Sequence, residues 1–293
     1  MNQSRMAYVY ILPAALIMAA LTAYPLFYGV WMAFTDFGIQ HIRHQNPNFV
    51  GIQNFVDILT GAPYLSFSMW KILGFNLLWT ISNITFHVIL GVGLALAVNH
   101  PGIRFKKFYR MALILPWAVP TYVTALVWKN MFDEQFGAIN QLLSVFGGTP
   151  VAWLQQYPHA FYAVLMTNIW LGFPFMMMVA SGALQSIPSE MYEAASLDGA
   201  TAWDRLISVT IPMLRPAMSP AIILGTVWTF NNFNVIYFIT AGGPLGQTEI
   251  LVTQAYRLVN PMGLYGVAAA FAVVIFVILA LLNQAAKRWL PTE

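Results

Sequence analysis

The sequence predicts an all-α integral membrane protein with six transmembrane helices, from three observations of composition, segment length and charge placement. Of the 293 residues, 59% are hydrophobic and 8% charged, and mean hydropathy is +0.67; a soluble domain carries about a quarter charged residues. So little charge cannot cover a globule in water, which excludes a soluble enzyme, a disordered tail and a nucleic-acid-binding module. Six stretches also reach the roughly 20 apolar residues needed to cross a hydrocarbon core about 30 Å thick. Lysine and arginine, finally, concentrate in alternate connections between those stretches.

The stretches run over residues 7–34, 72–98, 111–131, 160–184, 217–239 and 263–284, each bounded by charges, prolines or glycines. The first follows Arg5, as a signal peptide would, but its apolar run exceeds the roughly 7–15 residues of a signal core. No small-x-small cleavage pattern precedes Thr35-Asp36, so this segment is expected to stay in the membrane. One side of the membrane receives Arg5, Arg104, Lys106, Lys107, Arg110, Arg205, Arg215, Lys287 and Arg288, and the other Arg43, Lys71, Lys129 and Arg257. Because Lys and Arg resist translocation, both termini are expected to be cytoplasmic, in a cell or inner membrane. The net charge of +3 is then a topology signal, with membrane lipid as the surrounding partner and no nucleic acid implied. The whole chain, 1–293, reads as one transmembrane domain, with residues 186–212 as a cytoplasmic loop within it.

Chemistry is scarce. No phosphate-binding Gly-x-x-x-x-Gly-Lys-Ser/Thr run occurs, nor an HExxH metal pair or GxSxG elbow, so neither a catalytic residue nor a cofactor is expected on this chain. The absence of cysteine removes disulfides and thiolate sites. His41 and His44 share a polar loop, where a solvated pair is a better reading than a metal site. Within the spans His87 stands apart as an ionisable residue, and a lone histidine on a helix is more often a hydrogen-bonded packing residue than a proton relay. Without a buried carboxylate an ion-coupled pump is disfavoured, and whatever crosses should be neutral overall. Six tryptophans near predicted helix ends, Trp31, Trp79, Trp117, Trp128, Trp153 and Trp289, read mostly as interfacial anchors, and Met176, Met177 and Met178 as packing residues.

The long loop carries more information. Pro188 suits the first turn of a short helix, Gly199 its stop, and Thr201 with Asp204 has the spacing of a capping box; Pro212 is expected to end the second helix. Local signals alone are equally compatible with a plain connector. Glu193-Ala194-Ala195, followed by Asp198-Gly199-Ala200 and then Val209-Thr210-Ile211-Pro212, resembles the EAA loop of ABC importer permeases. That resemblance implies a coupling helix docking on an ATP-hydrolysing subunit, with ATP and Mg bound by the partner. The residues suit the role: Ala194 and Ala195 permit close approach, Gly199 a sharp turn, and Glu193 offers a charge.

From residue 105 to 244 the chain is similar to the larger membrane subunit of the maltose/maltodextrin importers, with their MetI-like core. The similarity runs through Leu115-Pro116-Trp117-Ala118-Val119-Pro120, Phe136-Gly137-Ala138-Ile139-Asn140, Trp170-Leu171-Gly172-Phe173-Pro174-Phe175 and Phe230-Asn231-Asn232-Phe233. It implies an oligosaccharide substrate, a second homologous permease, two ATP-binding subunits and an extracytoplasmic solute-binding protein. Those importer subunits carry a large domain in their early outer loop, for which residues 35–71 are too short. Trp228, Asn231 and Asn232 fall at i, i+3 and i+4 of the fifth stretch, one face of a continuous helix, beside Thr229. Without the resemblance these asparagines read as glue between helices; with it, Trp228, Thr229, Asn231 and Asn232, together with Gly172 and Phe175, are implied substrate contacts. Thr229 stands where the family has asparagine and Phe175 where it has tyrosine, which puts maltose itself in doubt. Importers of trehalose, glycerol phosphate or another polyol on the same core are the nearest alternative, although a phosphate would favour a cation near the cavity. An intramembrane enzyme or a structural scaffold accounts for less of the sequence.

Overall fold

The computed structural model describes residues 3–43 and 46–289; His44 lies outside them, as do the side chains of Arg5, Lys287 and Trp289. Among the described residues five helices are long and apolar enough to cross a membrane, and six when one sharply bent pair counts as a span. Two compact units divide the chain, 1–70 with 254–278, and 71–253 with 279–293.

In the first unit, α1 (Gln3–Met18), a π-helical turn (Ala19–Ala23) and α2 (Tyr24–Met32) form one apolar rod. Pro25 sits in the first turn of α2, directly after the π turn. Proline lacks an N–H and its ring strikes the carbonyl four residues back, so a locally wider turn relieves both problems. Beyond the rod, Asn54 of α3 (Gln53–Thr60) is buried and donates to the carbonyls of Ala33 and Thr35 at 2.9 and 2.8 Å, closing the loop onto the helix end. The Asp36 carboxylate accepts from the side chain and backbone N–H of Asn48, and these hydrogen bonds hold it below the usual carboxylate value.

The second unit contains most of α4 (Met69–Asn99), then α5 (Lys106–Ala118), α6 (Thr121–Met131), α7 (Ala138–Val145) and α8 (His159–Ser186). The third apolar stretch departs from expectation: α5 and α6 meet at a bend of 91°. Pro120 forbids the helical conformation to the residue before it, and Val119 is extended at φ −86°, ψ 135°. Small residues let the other helices close up. A Cβ at Gly91 would collide with the backbone of Met177 and the side chain of Met176. Met176 and Met177 are buried with Ala180, Leu214, Met218 and Ala221, as their reading as packing residues expects. In a bilayer this contact, rather than exclusion of water, drives association.

The loop after α8 folds as α9 (Ser189–Leu197), a left-handed turn at Gly199 (φ +80°) and α10 (Ala202–Arg205). Here the expectation for Pro212 fails. The chain continues through a second π turn (Leu206–Thr210) into α11 (Ile211–Phe230), with Pro212 in its first turn and Pro216 and Pro220 inside it. The physical reason repeats that at Pro25: the π turn, in which Ile211 N–H reaches Leu206 O, lets the helix absorb the proline that should have stopped it. After α11 come α12 (Phe233–Ile239), α13 (Leu251–Val259) and α14 (Tyr265–Trp289).

Candidate functional site

A cavity of about 440 Å³ opens within the second unit, where α11 gives way to α12. All six residues expected to contact substrate line it: Gly172, Phe175, Trp228, Thr229, Asn231 and Asn232. Their arrangement differs from that expected. They do not share one face of a continuous helix, because α11 stops at Phe230, Asn231 caps its end and Asn232 caps the start of α12. Asparagine competes with the backbone for hydrogen bonds, which disfavours it inside helices and favours it at caps.

That break frees backbone groups in a low-dielectric interior, and the helix packed beside it supplies their partners. Trp79 Nε1 donates to Thr229 O at 3.0 Å, and Asn76 Nδ2 to Phe230 O at 3.2 Å. Asn76 Oδ1 in turn accepts from Leu251 N–H at 2.9 Å. Asn232 Oδ1 takes the Val235 N–H, while its Nδ2 donates to Asn168 Oδ1 at 2.7 Å. Asn168 Nδ2 continues the chain to Asn83 Oδ1 at 2.8 Å, and Asn83 Nδ2 to Trp79 O at 2.7 Å. Glue and cavity lining are thus combined in Asn232.

His87 is buried below this ladder, its Nε2 lying 2.9 Å from Asn168 O. The partner is a carbonyl, so Nε2 carries the hydrogen, and His87 is the satisfied packing residue expected. Its ring explains Gly172, where a Cβ would run into the imidazole. The opposite character comes from an aromatic wall: Phe175 lies between Trp117 and Trp228, with ring centroids 6.4 and 5.2 Å away. No Asp, Glu, Lys or Arg lines the cavity among the described residues.

Trp79 requires correction, since it is fully buried rather than an interfacial anchor. Trp117, assigned to the same class, lines the cavity. Sequence reasoning also missed Asn76, Asn83, Asn168 and Thr121. A signal existed: Asn76, Asn83 and His87 recur at spacings that put them on one stripe of an otherwise apolar helix.

The loop residues Glu193, Ala194 and Asp198 are exposed and Ala195 partly so, in and just after α9. The capping box forms as expected: Thr201 N–H donates to Asp204 Oδ2 at 2.9 Å and Asp204 N–H to Thr201 Oγ1 at 3.2 Å. Donation to Asp204 Oδ2 from the Thr201 hydroxyl, at 2.6 Å, and from the Thr201 N–H holds the Asp204 carboxyl below its ordinary value. Tyr192 Oη meets Thr210 Oγ1 at 3.1 Å, and Arg205 Nη1 donates to Ser196 Oγ at 3.1 Å, tying α9 to the run that follows Gly199. His41 accepts the Gly38 N–H on Nδ1 at 2.9 Å; the other half of the proposed histidine pair, His44, lies outside the described residues.

Residues 87–290 match the family described as binding-protein-dependent transport system inner membrane component. The chain is 37% identical over 273 residues to the galactooligosaccharides transport system permease protein GanP of Bacillus subtilis (strain 168), covering 90% of this chain and 65% of that one. It is 34% identical to the maltodextrin transport system permease protein MdxF of the same organism, over 96% of this chain and 68% of that one. The trehalose/maltose transport system permease protein MalF of Thermococcus litoralis is 30% identical, over 94% and 90% of the two chains. The chain thus spans about two thirds of the length of GanP and MdxF. In fold it is similar to a chain of a bacterial ABC transporter involved in the import of the acidic polysaccharide alginate, with TM-score 0.83, 21% identity and coverage of 98% and 96%.

Proposed function

Because the chain belongs to the family of binding-protein-dependent transport system inner membrane components, we propose that it is the permease subunit of an ABC importer carrying a neutral oligosaccharide into the cytoplasm. The observation that carries the reading is the cavity itself, an aromatic wall facing an amide wall with no formal charge among its described lining residues. Pyranose rings present C–H faces that suit Trp117, Phe175 and Trp228, and hydroxyl edges that suit amides. Asn232 has already committed one N–H and one lone pair, which leaves it one donor and one acceptor for a sugar hydroxyl. Gly172, Thr229 and Asn231 complete the contact surface.

The chain performs no covalent chemistry in this reading. ATP and Mg belong to two ATP-binding subunits, one of which docks on Glu193, Ala194, Ala195, Asp198 and Gly199, while a second permease and an extracytoplasmic solute-binding protein complete the complex. Both termini face the cytoplasm in this reading, which the lysine and arginine asymmetry supports. The helical run Ala202–Ile239, which includes Pro212, joins the coupling loop to the cavity. Closure of the ATPases displaces α9, and the ties from Tyr192 and Arg205 pass that displacement into the run.

Maltodextrin is the first substrate to test and galactooligosaccharide the second, the latter favoured by the 37% identity to GanP. Uptake by proteoliposomes holding the complex should be seen for neutral oligosaccharides and not for an oligouronate of equal length. Efficient uptake of the uronate would contradict an uncharged recognition surface.

A further inference from the structure

We propose that α5 carries a binding site for one anionic phospholipid of the cytoplasmic leaflet. Lys107, Arg110, Met111, Ile114, Leu115 and Ala118 line a groove of about 510 Å³. They recur at helical spacing, so one stripe of α5 places two cations at its start and an apolar track beyond them. From Lys107 to Ala118 the helix rises about 16 Å, close to the hydrocarbon depth of a single leaflet at about 15 Å. An acyl chain fits the track while its phosphate meets Lys107 and Arg110.

The charge pattern selects an anion. Arg104, Lys106, Lys107 and Arg110 fall within seven residues, and no Asp or Glu occurs between Asp57 and Asp133. None of the four pairs with a carboxylate among the described residues. Orientation of the chain needs only the presence of these charges, whereas here they are also placed. Arg110 Nη2 is anchored on Asn99 Oδ1 at 2.6 Å, and Lys106 Nζ is turned to Asn99 O at 3.1 Å. Arg110 Nε is buried without a partner, and Lys107, which also lines the groove, is exposed. The far end lies beside Trp117, so an occupied groove braces the helix that contributes Trp117 to the cavity's aromatic wall. The cytoplasmic side rests on the orientation proposed above; the lipid preference is measured independently of transport.

The complex, purified in detergent and exposed to phosphatidylglycerol or phosphatidylcholine, is examined by native mass spectrometry. Phosphatidylglycerol should be retained in preference, and Lys107→Gln with Arg110→Gln should weaken retention about 25-fold, at about fivefold for each cation. Arg104→Gln, off the groove, should weaken retention less than either groove substitution does. A photoreactive residue replacing Leu115 should cross-link to lipid. Equal retention of both lipids, no effect of the double substitution, or cross-linking of position 115 to the second permease would each overturn the proposal. ATPase activity of the same preparation reports separately on the importer reading.

Discussion

Asn232 joins three functions in one side chain: it caps α12, bonds to Asn168 and lines the cavity. Asn232→Ala should therefore cost about 1 kcal/mol as a lost cap and about 1–3 kcal/mol for leaving buried Asn168 without its acceptor-side partner. Transport should fall in proteoliposomes while the complex still assembles. Unchanged uptake kinetics would remove Asn232 from the binding surface. Gly172→Ala tests the steric account, since its methyl group meets His87; overpacking of this kind costs about 1–3 kcal/mol. The thermal midpoint should drop, and a further His87→Ala should restore part of it. No rescue would mean that the collision is relieved elsewhere. At this scale the sequence was informative about residue type but not about direction. Trp79 looked interfacial because a helix end was near, yet its indole turns inward to the Thr229 carbonyl, a choice made by a break in a helix 150 residues away.

The elements show where pattern reading stops. Hydropathy is blind to direction, so residues 111–131 read as one span although Val119-Pro120 turns the chain through 91°. Taken alone, proline at position 212 predicts a stop; the π turn that accommodates it depends on five residues before it, and no local composition rule marks them. The loop after α8 was legible because its signals are local: Gly199 supplies the left-handed turn, and Thr201 with Asp204 the capping box. Gly199→Asp adds a side chain at φ +80°, at a strain of about 1–2 kcal/mol, and in the proposed role misplaces α9 against the ATPase. The membrane helices should form normally while ATP hydrolysis and uptake become uncoupled. Normal uptake by this variant would sink the coupling role of the loop.

At the scale of the whole molecule, composition, six apolar stretches and the loop motif identified the fold and the family before any coordinates, because a bilayer leaves few ways to satisfy a backbone. The cavity was less legible. Its walls come from α4, α5, α6, α8 and the α11–α12 break, which are far apart in sequence, so Thr121 and Asn168 escaped, as did Trp117 although it sits in a stretch that resembles the family. Substrate identity depends on how those walls meet one sugar, which periodicity does not encode. In the proposed function this chain couples recognition of a neutral oligosaccharide to ATP hydrolysis on other subunits. The most direct test is ATP hydrolysis by the co-purified complex with its binding protein, titrated with maltodextrins, galactooligosaccharides and trehalose. Stimulation by at least one neutral oligosaccharide, abolished by Gly199→Asp, is the predicted result; a complex containing no ATPase, or an ATPase indifferent to every neutral sugar, would contradict it.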